Sequence, residues 1–256
     1  MRFSVFQVSR QGGRRNNEDR MGYSYTSDSV ILMLADGMGG HPDGEVAAHL
    51  AMETVAGLFQ QLAQPKLDDV TDFLEQAMLA AHQQILSYAA ANAMPDSPRT
   101  TLVVAVVQSG QVCWAHCGDS RFYLIREHQL LARTLDHSLA ERGRSPHGAA
   151  GSAPRDTNRN VLFTCLGSPT TPVFSVTEPQ NLQQGDTLML CSDGLWASLP
   201  ERNIVAELSQ NPVEIAVPKL VEKALAQAGD RSDNVTCLAL NWLTPDTSIN
   251  PNPSNS

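Results

Sequence analysis

The sequence is short of cysteine, lysine and long apolar runs. Five cysteines in 256 residues are an odd number in a long chain, which is not the pattern of a disulfide framework and favours a reducing compartment. The longest apolar runs, such as Val30–Ala35 and Leu102–Val107, fall far short of the roughly 20 residues that a membrane helix requires. The first residues contain no secretory signal pattern. We therefore expect a cytoplasmic protein with no membrane partner.

Positive charge is also scarce, since 18 basic residues stand against 27 acidic ones and give a formal net charge of -9. A nucleic-acid-binding protein needs an extended basic face, so we expect no nucleic-acid partner. Only Lys66, Lys219 and Lys223 are lysines, and the other basic residues are arginines, whose planar guanidinium suits phosphate and carboxylate. Hydrophobic residues at 42% are typical of a folded globular protein.

Short β-branched or apolar runs predict strands, and apolar residues at every third or fourth position predict helices. The predicted strands are Phe3–Val8, Val30–Ala35, Leu102–Val107, Val112–His116, Phe122–Arg126, Thr187–Cys191 and Val235–Trp242. The predicted helices are Asp43–Leu62, Asp68–Ala93, Glu201–Leu208 and Val213–Ala228, the last interrupted by Pro218. With few β-α-β alternations, this order favours an α+β fold in which sheets pack face to face with helices outside.

Two segments depart from compact character. His137–Asn160 is rich in Gly, Ala, Pro, Ser and Arg and predicts a long surface loop or a small mobile subdomain. The tail from Thr244 to Ser256 has the composition of a disordered segment. We therefore expect one domain over residues 1–243 and a disordered tail over residues 244–256.

Acidic residues recur where predicted strands begin or end. Asp36 and Asp193 follow apolar strands and precede glycine, Asp119 follows a strand after Gly118, and Asp19 and Asp233 precede strands, whereas Asp43 more simply caps a helix. A single Asp-Gly is common in turns, but a set in matching strand contexts is not. Carboxylates brought together repel one another unless a cation holds them. Hard oxygen donors without zinc-type His or Cys spacing favour Mg²⁺ or Mn²⁺.

The order of the motifs RRNNED, ADGMGGH, TTLVVAVV, CGDSRFYLI, LDHS, CSDGLW and DNVT resembles the bacterial form of the metal-dependent serine/threonine protein phosphatases, the PPM or type 2C family. The resemblance covers roughly Val5 to Leu240. It implies a four-layer α-β-β-α sandwich with two mostly antiparallel sheets. It also implies a monomeric signalling enzyme whose substrates are proteins phosphorylated by a protein kinase. The enzyme would hydrolyse their phosphoserine and phosphothreonine by direct attack of a water that bridges the metal ions.

The resemblance also implies roles for individual residues. Asp36 would bridge two Mn²⁺ or Mg²⁺ ions, the Gly37 carbonyl would complete one site, and Asp193 and Asp233 would hold the other ion. Asp119 would bind a third, weaker ion with Asp193. The remaining implied roles are orientation of metal-bound waters by Glu18 and Asp19, and phosphate binding by Arg14, with Arg15 as the neighbouring alternative.

The leaving alkoxide needs a proton, and histidine is the usual donor near neutral pH. Eukaryotic relatives carry histidine directly after Asp-Gly, where this chain has Met38, so His41 is the candidate general acid. His41 could instead be a helix-start residue beside Pro42. His137 more simply serves the structure, where a strand gives way to the loop.

The loop His137–Asn160 holds four arginines and two acids, a local excess of positive charge. The arginines are Arg142, Arg144, Arg155 and Arg159. In the family this region is a flap beside the active site, and we expect the arginines to dock phosphorylated or acidic segments, a solvated loop being the simpler alternative.

The sequence does not contain the motifs of other enzymes that act on phosphate groups. No cysteine is followed six residues later by arginine, and no P-loop, G-x-S-x-G or H-E-x-x-H motif is present. A metal-dependent phosphodiesterase or nuclease does not fit the acidic charge and the absence of a basic groove. The remaining alternative is a catalytically silent phosphatase-like domain that binds phosphoproteins, although silent members lose metal carboxylates and Asp36, Asp193 and Asp233 are all present.

Overall fold

The computed structural model describes residues 1–39, 43–142 and 161–244. The strands are β1 Phe3–Arg10, β2 Asp19–Tyr25, β3 Ser29–Asp36, β4 Leu102–Gln108, β5 Gln111–Cys117, β6 Arg121–Arg126, β7 Gln129–Arg133, β8 Ser175–Val176, β9 Gln180–Asn181, β10 Thr187–Cys191 and β11 Val235–Trp242. The helices are α1 Gly44–Leu62, α2 Val70–Ala91, α3 Leu139–Arg142, α4 Asp193–Trp196, α5 Glu201–Gln210 and α6 Val213–Ala228, with a 3₁₀ turn at Gly229–Arg231.

The described strands form two antiparallel sheets. The first has the order β1-β11-β10-β6-β7, and the second has the order β2-β3-β4-β5-β8, with β9 also paired to β5. Alternate residues of β3 show how the layers are built. Leu32 and Leu34 lie in the core between the two sheets, whereas Ile31 and Met33 lie in the core under α1 and α2. This period of two is what a strand buried on both faces requires.

Helices cover the outer face of each sheet, which confirms the four-layer α-β-β-α sandwich. α1 and α2 pack on the sheet that contains β3, and α5 and α6 pack on the sheet that contains β10. Asp69 caps α2, since its carboxylate accepts hydrogen bonds from the N–H groups of Thr71 and Asp72 at 2.8 and 3.0 Å. Asp43 stands before α1 in a left-handed conformation with φ 52°, and its side chain makes no capping bond.

The structure corrects several expectations. α6 runs without interruption through Pro218. Proline has no N–H, so the carbonyl of Glu214, four residues earlier, loses its helical hydrogen bond. Glu214 lies in the exposed first turn, where water can bond to this carbonyl instead. Asp43 caps α1 through its backbone carbonyl, which accepts from Val46 and Ala47, rather than through its carboxylate. Strands β7, β8 and β9 were not predicted, since β7 is a short edge strand with no fully buried residue and β8 and β9 have only two residues each.

Both segments that the composition set apart fall largely outside the described residues. Of His137–Asn160 the structure describes only the first six residues, which include the short helix α3. The tail from residue 245 onwards also lies outside the described residues. Within the described ranges, no helix has both the length and the apolar content that crossing a membrane would require.

Candidate active site

The carboxylates predicted from strand ends meet at one end of the sandwich because neighbouring strands are antiparallel. β3 ends at Asp36 where its partner β2 begins at Asp19. In the other sheet β10 ends just before Asp193, and its partner β11 begins just after Asp233. Asp119 lies in the turn between β5 and β6, where the chain crosses from one sheet to the other. Five segments distant in sequence therefore deliver acidic side chains to one edge.

A cavity of about 650 Å³ opens at this edge. Its lining brings together most of the predicted site residues and adds several that were not predicted. The lining residues are Gly13, Arg14, Arg15, Asn16, Glu18, Asp36, Gly37, Met38, Gly39, Thr101, Asp119, Leu162, Asp193, Asp233 and Asn234. Asp19 lies buried behind this wall, and His41 lies outside the described residues.

Asp36 is fixed by the first residues that lead into β4. Thr101 donates its backbone N–H to the Asp36 carbonyl at 2.9 Å, and its Oγ1 accepts the Asp36 N–H at 3.1 Å. Thr100 donates a second hydrogen bond to the same carbonyl, and Ser120 bonds to Thr101 Oγ1 at 2.7 Å. Because the backbone is held on both sides, the carboxylate of Asp36 has a defined direction into the cavity.

Asp19 faces Asp36 directly across the β2–β3 ladder, which is an unfavourable pairing for two like charges. Ser192 donates its hydroxyl to Asp19 Oδ2 at 2.7 Å. The other carboxylate oxygen, Oδ1, is buried and has no hydrogen-bond partner among the described residues, and the same holds for Glu18 Oε2. Buried carboxylate oxygens without donors are costly, so these two atoms are suited to water or a cation.

Asn234, in the DNVT motif, organises the loop that carries Arg14 and Glu18, a role that was not predicted for it. Its side-chain amide donates to the carbonyls of Gln11 and Asn16 at 2.7 and 2.9 Å, and its Oδ1 accepts the Glu18 N–H at 2.8 Å. These bonds hold the loop after β1 against the start of β11. The signal in the sequence is an asparagine directly after Asp233, since a side-chain amide can donate and accept at once.

The turn that carries Asp119 is held from two directions. His137 accepts the Gly118 N–H on Nδ1 at 3.3 Å and donates its backbone N–H to the Gly118 carbonyl at 3.0 Å. Trp196 donates its indole N–H to the Asp119 carbonyl at 2.9 Å. Arg121 stacks over the Trp196 ring at 3.5 Å and makes two hydrogen bonds of 2.7 Å to Asp136. The LDHS motif therefore supports the Asp119 turn.

Arg14 is an exposed cation on the cavity wall. Its Nη2 donates to Asp233 Oδ2 at 2.6 Å, and this bond raises the pKa of Arg14. Arg15, the alternative phosphate ligand, also lines the cavity. A methyl group at Gly13 would overlap the Asp230 carbonyl, so the loop approaches the 3₁₀ turn too closely for a side chain there.

The electrostatics of the cavity disfavour full ionisation of its carboxylates. Burial raises the pKa of Asp36 well above its ordinary value, and the charges of Asp19 and Asp193 raise it further. Burial and the charges of Asp119 and Asp233 likewise raise the pKa of Asp193. For both Asp19 and Asp119 burial raises the pKa to about 6. A cluster of this kind favours the binding of protons or of metal cations.

The donor chemistry fits hard divalent cations. The lining carboxylates supply oxygen ligands only, and two buried oxygens have no donor. Across the described ranges, no three His, Cys, Asp or Glu side chains are already gathered as a metal site. Asp233 is instead turned toward Arg14. Metal binding would therefore require Asp233 to exchange its arginine for a cation.

Comparison with known proteins decides the family. A model for protein phosphatase 2C matches residues 8–228. The chain belongs to the protein phosphatase 2C family. It is 32% identical over 238 residues to the serine/threonine phosphatase stp of Listeria monocytogenes, which covers 91% of this chain and 93% of that relative.

Solved structures of this family share the fold. Stp1 from Staphylococcus aureus superposes with a TM-score of 0.81 at 26% identity, over 95% of this chain and 96% of that chain. The catalytic domain of PstP, solved in complex with two manganese ions, gives a TM-score of 0.77 at 27% identity, over 94% and 99%. The chain is therefore a serine/threonine protein phosphatase. The relatives are named as phosphatases, so the silent alternative gains no support.

The remaining predicted residues lie at the edge of the described structure. Arg142 ends α3, and its guanidinium lies 5.3 Å from the centre of the Phe163 ring. Arg144, Arg155 and Arg159 fall outside the described residues. The five cysteines are all buried, and burial raises the pKa of Cys113 to about 11, in agreement with the exclusion of cysteine chemistry.

Proposed function

We propose that this phosphatase hydrolyses phosphoserine and phosphothreonine in proteins with the help of divalent cations held by the carboxylates of the cavity. Asp36 and the Gly37 carbonyl would hold one ion, and Asp36, Asp193 and Asp233 would hold the other. Asp119, which lines the same cavity, would bind a third, weaker ion with Asp193. When bound, Mn²⁺ or Mg²⁺ would supply the positive charge that a phosphate dianion needs and would make a coordinated water more acidic.

The observation that carries this proposal is the uncompensated carboxylate cluster. Burial raises the pKa of Asp36 and the charges of Asp19 and Asp193 raise it further, and the cations lining the described part of the cavity are Arg14 and Arg15. A phosphate dianion would be repelled from such a surface unless other positive charge is present. The manganese-bound relative PstP supports the same conclusion.

Arg14 is proposed to bind the phosphate. Its guanidinium presents parallel N–H donors that match two phosphate oxygens, and it is exposed on the cavity wall. Its bond to Asp233 implies a switch of partners, because Asp233 would turn to a cation and release donors of Arg14 for the phosphate. Glu18 and Asp19, each with an oxygen that has no donor among the described residues, are proposed to orient water around the cations.

His41 stays a candidate for protonating the leaving alkoxide, and the flap arginines stay candidates for docking. Arg142 is the member of that set within the described residues, and its position beside Phe163 supports a role next to the cavity, which Leu162 lines. The other three arginines are proposed from their charge alone.

A direct test uses the purified chain with a phosphothreonine peptide and p-nitrophenyl phosphate. We expect hydrolysis of both with added Mn²⁺ or Mg²⁺, none with excess EDTA, and recovery when metal is restored. Hydrolysis that persists in EDTA would contradict metal dependence. Activity on p-nitrophenyl phosphate alone, with phosphoserine and phosphothreonine peptides untouched, would contradict the protein substrate class.

A further inference from the structure

Five large apolar side chains are exposed together beside the cavity. Leu135 and Val173 are 61% and 58% exposed, and Leu139, Val161 and Phe163 are each at least 36% exposed. Single exposed apolar residues are ordinary, but a group of them marks a binding surface. We refer to these five residues as the rim patch.

The hydrogen bonds around His137 place the rim patch in one region. Leu139 donates its N–H to the Val161 carbonyl at 2.9 Å, and Phe163 donates its N–H to the His137 carbonyl at 3.0 Å. The Phe163 ring lies 5.4 Å from the His137 ring, centre to centre. His137 also stacks on His116 at 4.3 Å.

Leu135 and Val173 join the patch through these neighbours. The Leu135 carbonyl bonds to His116 Nε2 at 2.8 Å. Val173 donates its N–H to the hydroxyl of Thr164, the residue after Phe163, at 2.9 Å. All five members are therefore attached to the same small framework.

The rim patch continues directly into the cavity. Leu162 lies between Val161 and Phe163 and lines the cavity, and it forms an antiparallel bridge with Ser138. A protein segment whose phosphorylated residue enters the cavity on the Leu162 side therefore passes Val161 or Phe163. Arg142 lies over the Phe163 ring at 5.3 Å, so positive charge borders the apolar surface.

The chain's own composition excludes one occupant. The segment 143–160, which leaves and re-enters the described structure at this patch, contains no Leu, Ile, Val, Met, Phe, Tyr or Trp. It cannot supply large apolar side chains to cover the surface. The position beside the cavity instead fits a substrate.

We propose that the rim patch is a docking surface for substrate segments that carry a large apolar side chain close to the phosphorylated serine or threonine. This inference rests on the proposed function and adds a preference for sequence. The phosphate would enter the cavity while the apolar side chain lies on the patch.

The test compares two phosphothreonine peptides of equal length and charge, one with leucines and one with serines flanking the phosphothreonine, together with p-nitrophenyl phosphate. For the native chain with Mn²⁺, we expect kcat/KM to be about ten-fold higher for the leucine peptide. The double variant Leu135→Ser, Val173→Ser should remove this preference. It should change turnover of the serine peptide and of p-nitrophenyl phosphate less than about two-fold, because it alters neither cavity nor carboxylates.

A matched control is the double variant Leu79→Ser, Ile215→Ser, which removes side chains of similar exposure on α2 and α6 and should keep the preference. Equal kcat/KM for the two peptides in the native chain would overturn the proposal, and so would equal losses on all three substrates. Sedimentation showing a dimer that the double variant dissociates would assign the patch to a second copy instead. Failure of the proposed function is distinct, because neither phosphothreonine peptide would then be hydrolysed, whether or not p-nitrophenyl phosphate is.

Discussion

The two ends of strand β10 carry a buried and a half-buried carboxylate in opposite electrostatic states. At its start Asp186, fully buried, receives two hydrogen bonds of 2.7 Å from the Arg126 guanidinium and a third from the Gln183 N–H at 2.8 Å. Beyond its end Asp193 faces further carboxylates, and burial together with Asp119 and Asp233 raises its pKa. One end has its charge neutralised within the protein, and the other does not.

This difference separates a stabilising contact from a reactive site. A buried carboxylate paired with arginine satisfies its own charge and locks two strands together. A group of carboxylates without enough cations destabilises the metal-free fold and is useful only if a ligand supplies the missing charge. The acidic residues of the sequence therefore include carboxylates that are paired with arginine within the protein and carboxylates at the cavity whose charge is not compensated.

The largest expected effect comes from removing charge at the cavity. Asp36→Asn or Asp193→Asn should lower kcat with Mn²⁺ by roughly 10³-fold, since each variant removes a proposed ligand to the cations. The same variants should stabilise the metal-free chain by about 1 kcal/mol, because like-charge repulsion is relieved. Thermal unfolding in EDTA and turnover of a phosphopeptide measure the two effects. Asp28→Asn in an exposed turn is the control. If the cavity variants were less stable than the native chain without metal, the contrast between the two ends of β10 would be contradicted.

The opposite end should respond in the opposite sense. Asp186→Ala should destabilise the chain by about 3 kcal/mol, because Arg126 keeps a partly buried charge without its partner. Turnover at temperatures well below unfolding should stay within about two-fold, because the pair lies at the far end of the sandwich. Chemical denaturation measures the loss, with Asp68→Ala at an exposed position as control. A loss of activity in Asp186→Ala without a loss of stability would contradict the distinction between the stabilising pair and the reactive site.

Arg14 and Arg15 test how the cavity uses its own cations. Arg14→Ala should lower kcat/KM for p-nitrophenyl phosphate about 30-fold, and Arg14→Lys should recover only part, since lysine cannot donate a parallel pair of hydrogen bonds. Arg15→Ala should lower it less than about three-fold. Steady-state kinetics at saturating Mn²⁺ decide the assignment. The reverse order of the two alanine variants would move the phosphate site to Arg15.

The smallest expected effect concerns the neutral histidine that supports the Asp119 turn. Burial and the neighbouring His116 lower the pKa of His137 to about 4, whereas an unfolded histidine has a pKa of about 6.5. Between these values the unfolded chain binds the proton more readily, so the stability that His137 contributes is present above pH 6.5 and lost as the pH falls toward 4.

His137→Asn isolates this contribution, since asparagine can accept the Gly118 N–H without titrating. The difference in unfolding free energy between the native chain and the variant should shift by on the order of 1–2 kcal/mol between pH 7 and pH 4.5 in EDTA. A difference independent of pH would show that His137 titrates alike in the folded and unfolded chains.

Prediction from sequence succeeded where local pattern and burial agree. The runs at Val30–Ala35 and Thr187–Cys191 are buried on both faces, so their apolar character alone identifies them as strands. It failed for β7 to β9, whose pairing depends on neighbours. It also placed a break at Pro218, although packing of α6 on the sheet keeps that helix intact.

For the site, the aspartates were recognisable from their position at strand ends, and the motifs that contain them indicated the protein family. Asn234, Thr101 and Trp196 lie within the DNVT, TTLVVAVV and CSDGLW motifs, but their roles were not recognisable, because an asparagine, a threonine or a tryptophan is common in many contexts. Their importance comes from hydrogen bonds to segments far away in the chain, such as Asn234 to Gln11.

The sequence by itself determined the longer elements, the acidic set and the family, because period, residue type and order are local properties. Only the tertiary structure decided which carboxylates are neutralised. Asp186 meets Arg126 from 60 residues away, whereas Asp19 meets Asp36 across a ladder and Asp193 meets Asp119 where the paired strands β10 and β6 meet the cavity. Charge pairing depends on distance in space and on burial, and both are set by how the two sheets pack.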